Sequence, residues 1–315
     1  FQTSNELTIP VSGTGSASME ASMCNFIEPG DSVVIGVNGY FGERLSDMAS
    51  RYGAEVRRLE RPWGEVFDPG EFEAELKRQP AKLIGVVHAE TSTGAMQPMA
   101  GLADVAHQHG ALLVMDCVTS LGGLPVKVDD WGVDVAYSGT QKCLSCPPGL
   151  GPLTVSPRAR QTLQKRTTPV ANWYLDLSLV EKYWGSARTY HHTAPISMNY
   201  ALREALRLVH EEGLEARFAR HRANAELLWA GLEGLGLEPC IPLDHRLPSL
   251  TTVWVPDGVD EAAIRRQLLD GYNIEIAGGL GAFAGKAWRI GLMGYSSRPE
   301  NVLLLLAALE RLLQN

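Results

Sequence analysis

Val133-Asp134-Val135-Ala136-Tyr137-Ser138-Gly139-Thr140-Gln141-Lys142 joins a short, mostly apolar run to a turn of small residues and then to a lysine. Residues 133–137 predict a buried strand. Upstream, Leu112-Leu113-Val114-Met115 is apolar with little alternation, the pattern of a strand covered on both faces of a parallel sheet, and it stops at Asp116. Ligands of α/β sheets bind beyond the carboxyl ends of the strands, so Asp116 and Lys142 fall where chemistry is done. Working outward, residues 33–37 and 83–87 read as further buried strands, and 42–52, 69–78 and 102–109 as the helices between them. The alternation predicts an α/β fold.

A lysine after such a turn has three roles open to it: a surface residue, a phosphate clamp, or an amine that condenses with a carbonyl. The small residues before Lys142 and the Cys143-Leu144-Ser145-Cys146-Pro147-Pro148-Gly149-Leu150-Gly151 run after it predict a close-packed turn. Desolvation there lowers the amine's pKa and makes it nucleophilic. The carbonyl partner that also needs a carboxylate is pyridoxal phosphate, whose pyridine nitrogen a residue such as Asp116 keeps protonated; the alternative for Asp116 is a cap of the following turn. Val11-Ser12-Gly13-Thr14-Gly15-Ser16-Ala17-Ser18-Met19-Glu20-Ala21 offers a phosphate cradle, small residues opening a helix over 19–26. Ser18 occupies the place of the third glycine in a dinucleotide pattern.

These residues resemble the class V aminotransferases of pyridoxal-phosphate fold type I, and among them the alanine-glyoxylate and serine-pyruvate aminotransferases. The resemblance covers essentially the whole chain. It rests on Ser-Gly-Thr-Gln-Lys at 138–142, Met-Asp-Cys-Val-Thr-Ser-Leu-Gly-Gly at 115–123 and His-Ala-Glu-Thr-Ser-Thr-Gly-Ala-Met-Gln-Pro at 88–98. Tyr-His-His-Thr at 190–193, Glu-Ile-Ala-Gly-Gly-Leu-Gly at 275–281 and Arg-Ile-Gly-Leu-Met-Gly at 289–294 continue it.

The resemblance implies a large domain with a mostly parallel, seven-stranded type of sheet between helices and a smaller C-terminal α+β domain. It implies pyridoxal 5'-phosphate as cofactor, with Lys142 condensing with its aldehyde and Asp116 pairing with its ring nitrogen. Val118 is expected on one ring face and Phe41, often a tryptophan in relatives, on the other. Thr91 is expected at the ring hydroxyl, and Thr14, Gly15, Ser16 and Gln141 at the phosphate. Ser16 departs from the histidine of some relatives. Tyr190 and Thr193 match positions that reach the neighbouring subunit's phosphate, which implies a homodimer. Arg289 matches the arginine that grips the substrate α-carboxylate, a task suited to a planar guanidinium. The implied reaction is ping-pong: a small amino acid, alanine or serine, yields its amino group, and a 2-oxo acid, glyoxylate or pyruvate, receives it, with Lys142 as general base and acid.

The domains are expected at 1–211 and 212–315, the second holding a helix over 214–235, a strand over 251–255 and helices over 261–269 and 300–313. A helix over 197–210 leads into it. At 315 residues and 45% hydrophobic content the chain can bury a large core. A net charge of -8 argues against nucleic acid or anionic membranes as partners. No apolar run approaches the roughly 20 residues that span a bilayer. Five scattered cysteines point to reduced thiols and a cytoplasmic setting. Cys143 and Cys146 form one Cys-x-x-Cys with no second pair. Adjacent His191 and His192 share no helix or strand face, so no metal is expected there. Residues 281–287 are one residue short of a nucleotide-binding loop and read better as a substrate-side loop. The family carries a segment ahead of the phosphate loop, so residues preceding Phe1 are expected. Rival readings are a ureidoglycine-glyoxylate aminotransferase, a cysteine desulfurase using Cys240, and a non-catalytic pyridoxal-phosphate-binding protein.

Overall fold

The computed structural model describes residues 1–314. Seven strands form the main sheet: β1 (Leu7–Ser12), β2 (Ser32–Val37), β3 (Glu55–Glu60), β4 (Leu83–Val87), β7 (Leu112–Asp116), β8 (Val135–Tyr137) and β9 (Leu150–Val155). Two short strands, β5 (Ala89–Glu90) and β6 (Ala95–Met96), make a hairpin after β4. The order is β1-β9-β8-β7-β4-β2-β3. Only β9 runs against the other six, pairing antiparallel with β1 and β8. Parallel pairing of β7 with β8 sets Asp116 opposite Tyr137, so the expected chemistry-bearing ends share one edge of the sheet.

Three of these strands are not evident from local pattern. Strand β3 reads Glu-Val-Arg-Arg-Leu-Glu because it is an edge, where charges keep other chains from pairing. Strands β1 and β9 each contain a proline, which argues against a sheet interior. The register resolves this by setting Pro10 against Pro152, while the Pro152 carbonyl turns away to accept the Ser138 amide at 2.8 Å. Neither strand loses a bond to the other.

Helices α1 (Gly15–Phe26) and α2 (Tyr40–Arg51) pack on one face of the sheet, burying Met19, Met23, Phe26, Leu45 and Ala49. On the other face, α3 (Pro69–Arg78) and α4 (Leu102–Gln108) bury Phe72, Leu76, Leu102 and Ala106. Two further helices, α5 (Pro157–Gln164) and α6 (Leu177–Trp184), follow β9. The long α7 (Ile196–Glu212) adds Leu202, Ala205 and Val209 to the second core. Gly213, at φ +80°, then turns the chain into α8 (Leu214–Gly234), beside the expected boundary at 211/212. The first turns of α8 hold the loops at Gly122 and Cys143 through Arg217, while Leu228 and Leu232 enter a third core. That core is completed by β10 (Leu250–Trp254), α9 (Glu261–Tyr272), β12 (Ala287–Gly291) and α10 (Pro299–Leu313) around the buried Trp288. Strand β11 (Ala277–Gly278) pairs with β12.

Helix α2 begins at Tyr40, two residues before the expected start, and the reason lies far away in sequence. Glu90 is fully buried; its Oε2 accepts the amides of Phe41 at 3.1 Å and Gly42 at 3.3 Å, and its Oε1 accepts the Ser92 amide at 3.0 Å. Ser92 Oγ accepts the Tyr40 amide at 2.9 Å. The first-turn donors of α2 are thus capped by the β5–β6 turn rather than by their own segment. Burial raises the Glu90 pKa, and the amide and hydroxyl donors pull it back down. A Cβ at Gly39 would collide with the Glu90 side chain, so the glycine lets the carboxylate reach the helix. Glu90→Ala is expected to lower the unfolding free energy by about 1.5–3 kcal/mol, the worth of charge-assisted bonds to buried donors. Urea denaturation checks this; an unchanged midpoint and slope would show that α2 needs no such cap.

Candidate active site

Strand β7 delivers Asp116 into the protein interior, where its carboxylate is only 2% exposed. Oδ1 accepts the Val118 amide at 2.8 Å, the local turn cap that the sequence allowed. Oδ2 is buried with no hydrogen-bond partner, and so is the Tyr137 hydroxyl, although the two groups are close enough to shift one another's titration. One carboxylate therefore does both jobs: one oxygen shapes the turn and the other is left for a donor. Burial pushes the Asp116 pKa up to about 7, against the Val118 bond that favours ionisation.

Lys142 emerges from the turn after β8. Ser138 anchors the start of that turn, its amide on Pro152 O and its hydroxyl on Cys117 O at 3.3 Å. Beyond it, the buried Arg217 of α8 donates to Cys143 O and Gly122 O at 2.6 and 2.7 Å. The Lys142 amine is half-buried, and its pKa is lowered by burial first and by the Arg289 charge second.

The loop of Thr14, Gly15 and Ser16 forms the N-terminus of α1, which has no side-chain cap. The Ala17 and Ser18 amides turn back to Thr14 O at 2.8 and 3.4 Å, so the Gly15 and Ser16 amides are the ones left for an anion. The loop meets the lysine turn almost backbone to backbone: a Cβ on Gly15 would lie 3.5 Å from Gly139 Cα and 3.4 Å from Val118. A Cβ on Gly139 would lie 2.8 Å from the Gln141 side-chain oxygen, which places Gln141 over the same cleft. Ser18 stitches the two loops, its hydroxyl 2.9 Å from Gly15 O and 2.8 Å from Ser138 O. That bond explains a serine in place of a dinucleotide-type glycine.

Phe41, in the first turn of α2, and Val118, two residues past Asp116, are both half-buried. Thr91 is buried with its hydroxyl on that of Thr119, and its carbonyl accepts Arg289 Nη1 at 3.1 Å. Arg289, on β12, also donates through Nε to Gly278 O at 2.8 Å, leaving further guanidinium donors uncommitted. The loop expected on the substrate side begins beside that carbonyl, and its Phe283 packs against Trp63 and Trp254 with centroids 6.0 and 4.9 Å apart.

Tyr190 and Thr193 face solvent in the single chain, Tyr190 at 75% exposure. Between them, His191 and His192 share an Nδ1–Nδ1 hydrogen bond of 2.7 Å, and His192 Nε2 pairs with Ser12 Oγ at 2.6 Å. All five cysteines are free thiols. Burial raises Cys143 to about 11. Among the described residues no three His, Cys, Asp or Glu cluster as a metal site would require, and no helix is long and apolar enough to cross a membrane.

Two contributors escape sequence reasoning. Glu90 lies inside a quoted motif, but its contacts to Phe41 and Gly42 span 49 and 48 residues. Arg44 touches the cradle directly, its Nη1 3.1 Å from Ser16 Oγ and its Cζ 4.9 Å from the Phe41 ring centre. A basic residue one helical turn past the aromatic was the available signal.

The orphaned Asp116 oxygen, the side-chain-free approach of Gly15 to Gly139 and the uncapped α1 fit pyridoxal phosphate: ring nitrogen, aldehyde beside Lys142, and phosphate. Comparison with known proteins agrees. The family model of the class-V aminotransferases matches residues 1–300. An (S)-ureidoglycine–glyoxylate transaminase of Bacillus subtilis is 43% identical over 99% of this chain and 80% of its own length. An alanine–glyoxylate aminotransferase of Callithrix jacchus is 41% identical over 100% of this chain and 77% of its own. The crystal structure of an alanine–glyoxylate aminotransferase from Nostoc superposes with a TM-score of 0.98 at 57% identity, covering 99% of this chain and 83% of that one. The chain belongs to the class-V aminotransferases, enzymes that work with pyridoxal 5'-phosphate.

Proposed function

We propose that this aminotransferase moves the amino group of alanine or serine to glyoxylate or pyruvate, in two half-reactions at one site. The observation that carries the reading is the placement of Arg289 from the small domain against Thr91 of the large one, near enough to Lys142 for its charge to lower the amine's pKa. Its uncommitted donors bind the α-carboxylate and hold the substrate's Cα–H toward the Lys142 amine. Burial and the Arg289 charge bias Lys142 toward the neutral base that would remove the α-proton and deliver it to the cofactor's aldehyde-derived carbon. Asp116 Oδ2 holds the ring-nitrogen proton. Bound pyridoxal phosphate supplies the electron-withdrawing ring that makes the α-carbon acidic.

A homodimer is part of the proposal. Tyr190, Thr193, Ile196 and Tyr200 are exposed along one stretch, which supports an interface through which Tyr190 and Thr193 reach the neighbouring subunit's phosphate. A cytoplasmic setting is likewise proposed, supported by the five free thiols.

A second donor, (S)-ureidoglycine, is favoured by the name of the 43% identical relative. Desulfurase chemistry at Cys240 is disfavoured, because burial pushes that thiol up to about 12 and leaves it protonated.

Mixing the cofactor-loaded enzyme with single amino acids is expected to give fast loss of the cofactor's absorbance with alanine or serine; exclusive reaction of ureidoglycine would assign the second donor. Lys142→Ala is expected to abolish turnover and the absorbance of covalently held cofactor, and retention of both would overturn the role of Lys142. Arg289→Lys is expected to lower kcat/KM roughly ten- to hundredfold, the kinetic equivalent of about 1.5–3 kcal/mol of lost carboxylate bonding. For Asp116 the sign follows from an acid raised in the folded state to about 7 from 3.8. Its protonated form stabilises the cofactor-free protein fully below about pH 4, and that contribution is lost as pH rises through about 7. The thermal midpoint of cofactor-free protein is therefore expected to fall from about pH 5 to about pH 8 more steeply than that of Asp116→Asn; parallel profiles would show a solvated carboxyl.

A further inference from the structure

We infer that Arg44 is a positioning residue for the phosphate subsite, delivering its positive charge through the Ser16 hydroxyl. The inference rests on the cofactor reading above. Arg44 lies three residues after Phe41 and four after Tyr40 on α2, so all three side chains share one helix face. The guanidinium carbon is 4.9 Å from the Phe41 ring centre and 5.1 Å from that of Tyr40, and the two rings meet edge to face at 86°. The aromatic faces hold the cation in place by cation–π attraction.

So fixed, Nη1 lies 3.1 Å from Ser16 Oγ. Arginine only donates, so Ser16 must accept, and its single O–H proton is freed to point away from Arg44. A hydroxyl that accepts a charged donor becomes a stronger donor in turn. Among the described residues no carboxylate forms an ion pair with Arg44, unlike Arg57, Arg160, Arg217 or Arg220. A phosphate monoester carries about -1.5 to -2 charge at neutral pH. Thr14, Gly15 and Gln141 bring only neutral donors to it. Arg44 is the cation in contact with that cradle, held by rings and left without an anion of its own.

The test uses full-length protein stripped of cofactor, titrated with pyridoxal phosphate, with pyridoxal lacking the phosphate, and with inorganic phosphate as competitor, all read by tryptophan fluorescence. Arg44→Gln is expected to raise the Kd for pyridoxal phosphate and the inhibition constant of inorganic phosphate tenfold or more. The Kd for pyridoxal is expected to stay within twofold. Arg44→Lys keeps the cation on the same face and is expected to recover at least half of the loss on a logarithmic scale. Ser16→Ala is expected to weaken pyridoxal phosphate several-fold in the parent but less than twofold when added to Arg44→Gln, because the two act as one chain. Equal weakening of pyridoxal and pyridoxal phosphate, no recovery with lysine, or additive effects of the two substitutions would each overturn the inference and leave Arg44 as a packing residue. A parent protein that takes up no pyridoxal phosphate would instead sink the cofactor reading on which it rests.

Discussion

The near contact of two backbone loops, one opening α1 and the other following β8, is the constraint on which the rest of this site depends. Gly15 and Gly139 face each other so closely that a Cβ on either would touch the other's backbone, and the Ser18 hydroxyl bonds carbonyls from both loops. Since α1 packs on β8 and β9, the sheet itself sets this approach. The α1 amide donors, the Asp116 carboxylate and the Lys142 amine are thereby brought to one cleft. A Cβ at Gly15 would sit in van der Waals contact with Gly139 and Val118, and one at Gly139 would press on the Gln141 side chain, so larger groups at either position would crowd the cleft beside Lys142.

Burial of charge is the second condition, and each charge is treated differently. Glu90 is surrounded by donors from α2 and Ser92, which oppose but do not outweigh the rise in its pKa that burial causes. Asp116 is satisfied at one oxygen only. An unpaired buried polar atom costs about 1–3 kcal/mol, which the folded chain carries until a donor reaches it. Lys142 forms no ion pair among the described residues, and burial and then the Arg289 charge lower its proton affinity more than the Asp116 charge raises it. Arg289 spends donors on the carbonyls of Gly278 and Thr91 and leaves others uncommitted. Together these treatments make a site where stability is given up at particular atoms that chemistry uses.

Legibility in the sequence followed burial pattern. Strands β2, β4 and β7 are continuous apolar runs because they are covered on both faces, and their bounds fall within a residue of expectation. Strand β3 carries four charges as an exposed edge, and β1 and β9 carry prolines whose harmlessness depends on their being set opposite each other. Helix α1 starts at Gly15, four residues before the helical pattern becomes visible, since Gly-Ser-Ala-Ser has little helix propensity of its own and is held by packing. Among candidate site residues, the strand-end carboxylate and the lysine in a small-residue turn stand out by type and position, whereas Arg289 is singled out only by resemblance to the family. Glu90 and Arg44 do not stand out, because a carboxylate that caps a distant helix and a cation on a neighbouring ring look like any surface charge.

By itself, then, the sequence determined the class of fold and the chemical inventory on offer: a carboxylate and an amine after buried strands, a small-residue loop opening a helix, and an arginine, in a family whose cofactor is pyridoxal phosphate. Only the tertiary structure decided which atoms meet and in what electrostatic state. Ser18 bonds Ser138 across 120 residues, and Arg289 bonds Thr91 across 198. The reason is physical. Residue type and local periodicity record what a side chain can donate, accept or bury, whereas pKa shifts and orphaned atoms arise from desolvation by segments that the chain brings together only when the whole sheet and its helices have closed around them.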